Sequence, residues 1–176
     1  MTTEEIQAMD KAAVGQILKK NPGVILEGLA KSSGFSMAEL IELLPEEMWQ
    51  KTEGEHFVEI MQAIAMMGKI TFVMHTADVV LEFSGTLPTG EVGHGFYNLS
   101  YQSPLHGHLR ASNCQSIYLV ERPFMNKQTI SVQFMNEAGD AMFKIFAGRD
   151  DNGEHMPEQL DALRSLFDRA LAGATA

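Results

Sequence analysis

At Lys69 the hydrophobic period of this chain changes, and that change constrains the fold more than any single motif. Before it, apolar residues recur at the spacing of amphipathic helices, as in "GEHFVEIMQAIAMMG", where Phe57, Ile60, Met61, Ile64 and Met67 share one face. After it they alternate, as in "KITFVMHTADVVLEFSG", where "TAD" breaks the alternation as a hairpin turn would. Helices first and strands afterwards describe an α+β chain in which helices pack on a large antiparallel sheet.

The helical part spans residues 1–68. Thr2 and Glu5 stand in capping-box spacing ahead of "IQAMDKAAVGQILKK", which "NPG" ends. "GVILEGLAKSSG" is a second helix closed by Gly34, and "SMAELIELLP" a third, opened by Ser36 and Glu39 and stopped at Pro45. Gly68 is placed to cap the fourth. The second and third have the length of a helix-turn-helix, but "AELIELLPEE" carries acids where a DNA reader needs Arg, Lys, Asn or Gln. A formal net charge of −10 also opposes a nucleic-acid partner or an anionic membrane surface.

The sheet part spans 69–150. Its strands are expected in "ITFVMH", "VVLEFSG", "FYNLSY", "GHLRAS", "QSIYLVERP" and "TISVQFMNEAGDAMFKIFAG", with "TLPTGEVGHG" a Gly- and Pro-rich loop. An amphipathic helix over 156–173, with Leu160, Leu163, Phe167 and Ala170 in one stripe, closes a single domain, 1–176. The acidic start has no basic or apolar signal-peptide region, no apolar run is long enough to span a bilayer, and the expected location is the cytoplasm.

Chemistry must come from few residues. Cys114 is the sole cysteine, which excludes an intramolecular disulfide and a CxxC site. No HExxH, GxSxG, GxGxxG or Walker A pattern occurs. Three of six histidines fall in "GHGFYNLSYQSPLHGHLR": His94 in a loop, His106 and His108 on one side of a strand. His75 ends the strand "ITFVMH" at the edge of apolar surface. One histidine from each of two strands, among Phe, Met and Leu, suits a flat apolar ligand that carries a metal; haem meets that description. Its propionates need cationic partners, for which Arg110, Arg122 and Arg149 are candidates, with Lys144 next.

The blocks "VMHTADVVLEFSGTLPTGEVGHGFYNLSY", "GHLRASNC", "IYLVERPFM" and "QFMNEAGDAMFKIFAGRD" closely resemble, in order, those of the HutX/ChuX family of cytosolic haem utilisation carrier proteins, from about Gly68 to Asp150. The resemblance implies the fold of one half of the larger cytosolic haem-degrading proteins. It implies a homodimer, haem b as cargo, and a cytosolic haem-degrading protein as acceptor. It assigns the iron ligands to His75 and His108, with Tyr97 competing. The family's paired tyrosines are here Phe96 and Tyr97, and its usual Trp-Gly before the first strand is Met67-Gly68. Two ligating histidines would leave no vacant iron position and favour transport. A single ligand would leave one open, so haem degradation with an external reductant is the alternative. A haem-independent interaction protein using the paired helices is a third possibility. The loop from Ser84 to Gly95 is a candidate gate.

Overall fold

The computed structural model describes residues 10–174, with side chains placed as far as Arg169. The Thr2–Glu5 pattern and Ala170 of the closing stripe lie outside these described side chains. Helix α1 (Lys11–Lys20) starts at Asp10, whose Oδ1 accepts from the Ala13 amide at 2.8 Å. Helix α2 (Leu26–Ser33) ends where Gly34 turns left-handed at φ 79°, a conformation only glycine adopts cheaply. Helix α3 (Met37–Glu42) carries the full capping box: Glu39 N donates to Ser36 Oγ at 3.2 Å, and Ser36 N donates to Glu39 Oε2 at 2.9 Å. The apolar faces of all three helices, with Val14, Leu18, Leu26, Leu40 and Ile41, close over Tyr118, Val120 and Met135 of the sheet. The helix-turn-helix-like pair is therefore spent on the core.

One strand that the sequence periodicity does not reveal interrupts the helical part. In β1 (Trp49–Glu53), "WQKTE", only Thr52 is buried, so no alternation of apolar residues announces it. Helix α4 (Phe57–Ile64) follows, and Gly68 at φ 84° turns the chain into β2 (Lys69–His75). The main sheet adds β3 (Val80–Thr86), β7 (Ser116–Phe124), β8 (Lys127–Met135) and β9 (Ala141–Ala147). Its order is β1-β7-β8-β9-β2-β3, antiparallel throughout. A smaller sheet holds β4 (Gly90–Gly93), β5 (Phe96–Leu99) and β6 (Gly107–Leu109). The stretch "TLPTGEVGHG" is thus not a plain loop. Its glycines conceal β4, and Gly90 is required there because a Cβ would lie 2.5 Å from the Tyr97 ring.

Register decides what each face of the main sheet does. Leu119, Val132, Ile145 and Phe72 align across four strands on one face. That face meets α4, the closing helix α5 (Pro157–Ala174) and the small sheet, through Phe57, Ile60, Leu163, Phe167, Tyr97 and Leu99. The Phe57 ring sits edge-on to Phe134 at 5.3 Å and Phe143 at 6.0 Å, and Phe134 stacks on Phe143 at 4.4 Å. Each such ring contributes about 2–3 kcal/mol by burial, and each pair about 1 kcal/mol more. The opposite face aligns Tyr118, Gln133, Lys144 and Val73. Helices α1–α3 cover its Tyr118 and Val120 end, leaving the β8–β9–β2–β3 end as a polar floor.

Gln159 fixes the start of α5 to the strands. Its Oε1 accepts from Gly148 N at 2.7 Å, and its Nε2 donates to the carbonyls of Met67 at 2.9 Å and Lys69 at 2.8 Å.

Candidate functional site

The uncovered end of the sheet forms a cavity of about 580 Å³. This lies within the range of small-molecule sites, roughly 300–1,000 Å³. Its floor comes from alternate residues of four strands: Thr71 and Val73 of β2, Glu82 and Ser84 of β3, Ser131 and Gln133 of β8, Lys144 and Phe146 of β9. One wall is the start of α2, with Ile25 and Glu27, and another is the end of β7, with Arg122 and Phe124. The floor is thus mainly polar, with Val73 and Phe146 set into it and Ile25 and Phe124 on the walls, a mixture that suits a ligand with an apolar body and charged substituents.

His75 stands on the rim, its side chain 33% exposed, with Nδ1 3.4 Å from Glu27 Oε1. A carboxylate on one ring nitrogen leaves the other to face a ligand. Glu27 also ion-pairs with Lys144, which is buried. Burial works to raise the Glu27 pKa, but the Lys144 ammonium, assisted by His75, outweighs it and holds the carboxyl below its ordinary value. Arg122 is buried too, and its Nη1 donates to the carbonyls of Pro22 at 2.9 Å and Val24 at 2.7 Å, tying the α1–α2 connection to the cavity. Burial lowers its guanidinium pKa, with the Glu27 charge opposing.

The other expected residues lie elsewhere. His108, Tyr97 and Arg110 belong to or border the small sheet, and none lines the cavity. His108 is exposed, its Nδ1 2.6 Å from Asn98 Oδ1, with its ring 5.5 Å from Phe96. Arg110 lies over the same Phe96 ring at 4.6 Å. Tyr97 points inward, fully buried against Phe57, and its hydroxyl has no well-formed hydrogen bond. Burial pushes its phenol pKa up, with the Gly90 backbone acting weakly the other way. His94 and Gly95, both at positive φ, form the two-residue turn between β4 and β5. His106 Nδ1 lies 2.9 Å from the Ser103 carbonyl oxygen. Since the small sheet packs on the sealed face of the main sheet, one chain does not bring His75 and His108 together.

Arg149 and His155 do line the cavity. Arg149 Nη2 donates to the Gln128 carbonyl at 2.6 Å and its Nη1 to the Gly153 carbonyl at 3.1 Å. Sequence reasoning missed Glu27, Gln133 and His155 as cavity residues. Gln133 alternates like any strand residue, and Glu27 meets Lys144 only because α2 folds back over β9, which no local pattern signals. Among the described residues no three His, Cys, Asp or Glu side chains converge as a metal site, and no helix is long and apolar enough to cross a membrane.

Comparison with known proteins agrees with this architecture. The model of the haem utilisation ChuX/HutX family matches residues 50–166. The chain is 31% identical over 154 residues to the intracellular heme transport protein HutX of Vibrio cholerae, covering 87% of this chain and 80% of that protein. The solved structure of the heme-binding protein ChuX superposes with a TM-score of 0.81 at 38% identity, over 89% of this chain and 97% of that one. The heme-degrading enzyme ChuS of Escherichia coli O157:H7 shares the fold alone, with a TM-score of 0.71 at 14% identity over 90% of this chain and 48% of its own. The fold is thus that of half of the larger protein. By its sequence over most of its length, and by the sheet that builds this cavity, the chain belongs to the ChuX/HutX haem utilisation family.

Proposed function

We propose that the chain is a cytoplasmic haem carrier that takes up imported haem, as haem b, and passes it to a haem-degrading partner. The observation that carries the reading is the cavity: an imidazole on its rim, apolar surface from Ile25, Val73, Phe124 and Phe146 set into a polar floor, and buried cations in reach of carboxylates. These are what an iron centre, a porphyrin face and two propionates respectively require. His75 is the first iron ligand in this reading, and Arg122 assists the propionates. The names of the HutX and ChuX relatives support the cargo.

His108 joins the same iron only by coming from a second copy, and a homodimer is part of the proposal. Strand β3 is the outer edge of the main sheet beside the cavity, and it exposes Val80 and Leu81 along an unpaired backbone. Such an edge invites another chain. A partner's small sheet would bring Arg110 together with His108. Tyr97 would serve as a ligand only if the β4–β5 hairpin moved.

Hemin titration of the wild type, His75→Ala, His108→Ala and Tyr97→Phe tests the assignment. A saturable Soret band is expected, lost or shifted in His75→Ala, shifted in His108→Ala, and unchanged in Tyr97→Phe. An intact band in His75→Ala would sink the site. Because the two histidines of one chain lie on opposite sides of the main sheet, the second reading is ligation by one histidine, which would allow degradation. Added ascorbate decides this: a stable band supports the carrier, and a band that decays to ring-opened product makes the protein an enzyme.

A further inference from the structure

Two buried cations face the cavity, Lys144 at 7% exposure and Arg122 at 8%. A single partly buried carboxylate, Glu27, answers both, pairing directly with Lys144 and attracting Arg122 from farther away. Arg122 makes no ion pair among the described residues and bonds only neutral carbonyls. Glu82 and Asp150 also line the cavity but are exposed, so among its buried and partly buried groups positive charge is in excess. Such charge is costly unless something negative meets it.

Beside Lys144, in register on the neighbouring strand, lies Gln133, 2% exposed. Its Nε2 donates to Ser131 Oγ at 3.1 Å, while its Oε1 has no partner. Exchanging the two ends of the amide leaves one of them unpartnered all the same. A buried polar atom of this kind waits for a group that the protein itself does not supply. With the ends exchanged, Ser131 Oγ donates to Gln133 Oε1 and the unpartnered end is the Nε2 donor; in that orientation, next to an ammonium, Gln133 suits one chemical class, a carboxylate.

We propose that Lys144 and Gln133 form a carboxylate-binding subsite on the cavity floor, and that Glu27 is its resident stand-in, displaced when a ligand's carboxylate arrives. The carrier reading above supplies the ligand's wider identity, a porphyrin acid; the subsite itself follows from the charge and the orphaned amide. Glu27 is suited to the exchange. It lies in the first turn of α2 with a side chain 26% exposed, so it reaches water by changing rotamer while its helix stays folded. One ion pair replaces another, which keeps net affinity moderate and release possible. Because Glu27 also touches His75, taking up the carboxylate frees the imidazole from its neighbour at the same moment.

The test uses iron-free protoporphyrin IX and its dimethyl ester, with binding followed by porphyrin fluorescence. Glu27→Gln should tighten the acid about tenfold, and Lys144→Met should weaken it by about the same factor, the worth of one charged hydrogen bond. Neither change should affect the ester. Thermal melting guards against misfolding: the acid should raise the melting temperature of Glu27→Gln more than that of the wild type. An unchanged affinity of Glu27→Gln for the acid, or equal tightening of the ester, overturns the proposal. The carrier reading fails separately, through the absence of a Soret band with hemin. If neither wild type nor Glu27→Gln binds the iron-free acid, the subsite falls as well.

Discussion

Cys114 shows how far burial alone can set a residue's chemistry. The sole thiol packs into the core and donates weakly to the Ser116 carbonyl, and burial pushes its pKa up to about 12. We expect native protein to react with Ellman's reagent at least a hundredfold more slowly than unfolded protein; rapid labelling in buffer would refute this. Glu42 titrates in the opposite sense. Burial would raise its pKa, but the Tyr118 hydroxyl, donating to Glu42 Oε1 at 2.6 Å, and Lys51 at 2.9 Å together bring it below its ordinary value of 4.5. A carboxylate depressed in the folded state contributes stability that is complete above pH 4.5 and fades as pH falls through the folded pKa. Melting temperatures of the wild type and Glu42→Gln should accordingly differ at pH 7 and converge under acid. Such residues are legible as types in the sequence, yet their roles are not: nothing local joins Glu42 to Tyr118, or Glu27 to Lys144.

Two elements carry energetic signatures that a substitution can expose. The β7–β8 hairpin turns through Met125 and Asn126, both left-handed, at φ 49° and 62°. Asparagine tolerates this conformation and an exposed methionine does not, at a cost of about 1 kcal/mol. Met125→Gly should therefore raise the denaturation midpoint, and a lower midpoint would show that its side chain supplies compensating contacts. Gln159 is the reverse case, one side chain bonding three backbone groups where the chain enters β2 and where it leaves β9. Gln159→Ala should cost about 2–4 kcal/mol in chemical denaturation, because one buried and two part-buried hydrogen bonds are lost together. Element identity was largely legible where a cap or a period of two was intact, as in α3 and in the β2–β3 hairpin. It was hidden where glycines or polar residues occupy the strand, as in β4 and β1, because pairing with a distant neighbour and not local pattern makes those segments extended.

For the whole molecule, the unequal covering of the two sheet faces matters most. Helices α4 and α5 and the small sheet seal one face, while α1–α3 seal only part of the other, so a cavity remains next to an open edge. That edge exposes Leu81 at 60% and Val80 at 54%. If it pairs with a second copy, Leu81→Lys should shift sedimentation toward the monomer and weaken hemin binding together. A monomeric wild type that retains both-histidine ligation would refute the arrangement.

The sequence by itself determined the class of the fold, the Gly34 and Ser36–Glu39 caps, most strands and the family, because these depend on spacing between near neighbours and on ordered blocks of residues. The first helix instead starts at Asp10, inside the run expected to be helical, and the fourth ends at Ile64, before Gly68. The sequence also brought His75 and His108 to notice. Only the tertiary structure decided that these two lie on opposite sides of the main sheet, that Tyr97 is enclosed, and that Glu27, Lys144 and Gln133 share one floor. Strand order and the placement of α2 set those relations, and both are products of contacts between residues far apart in the chain.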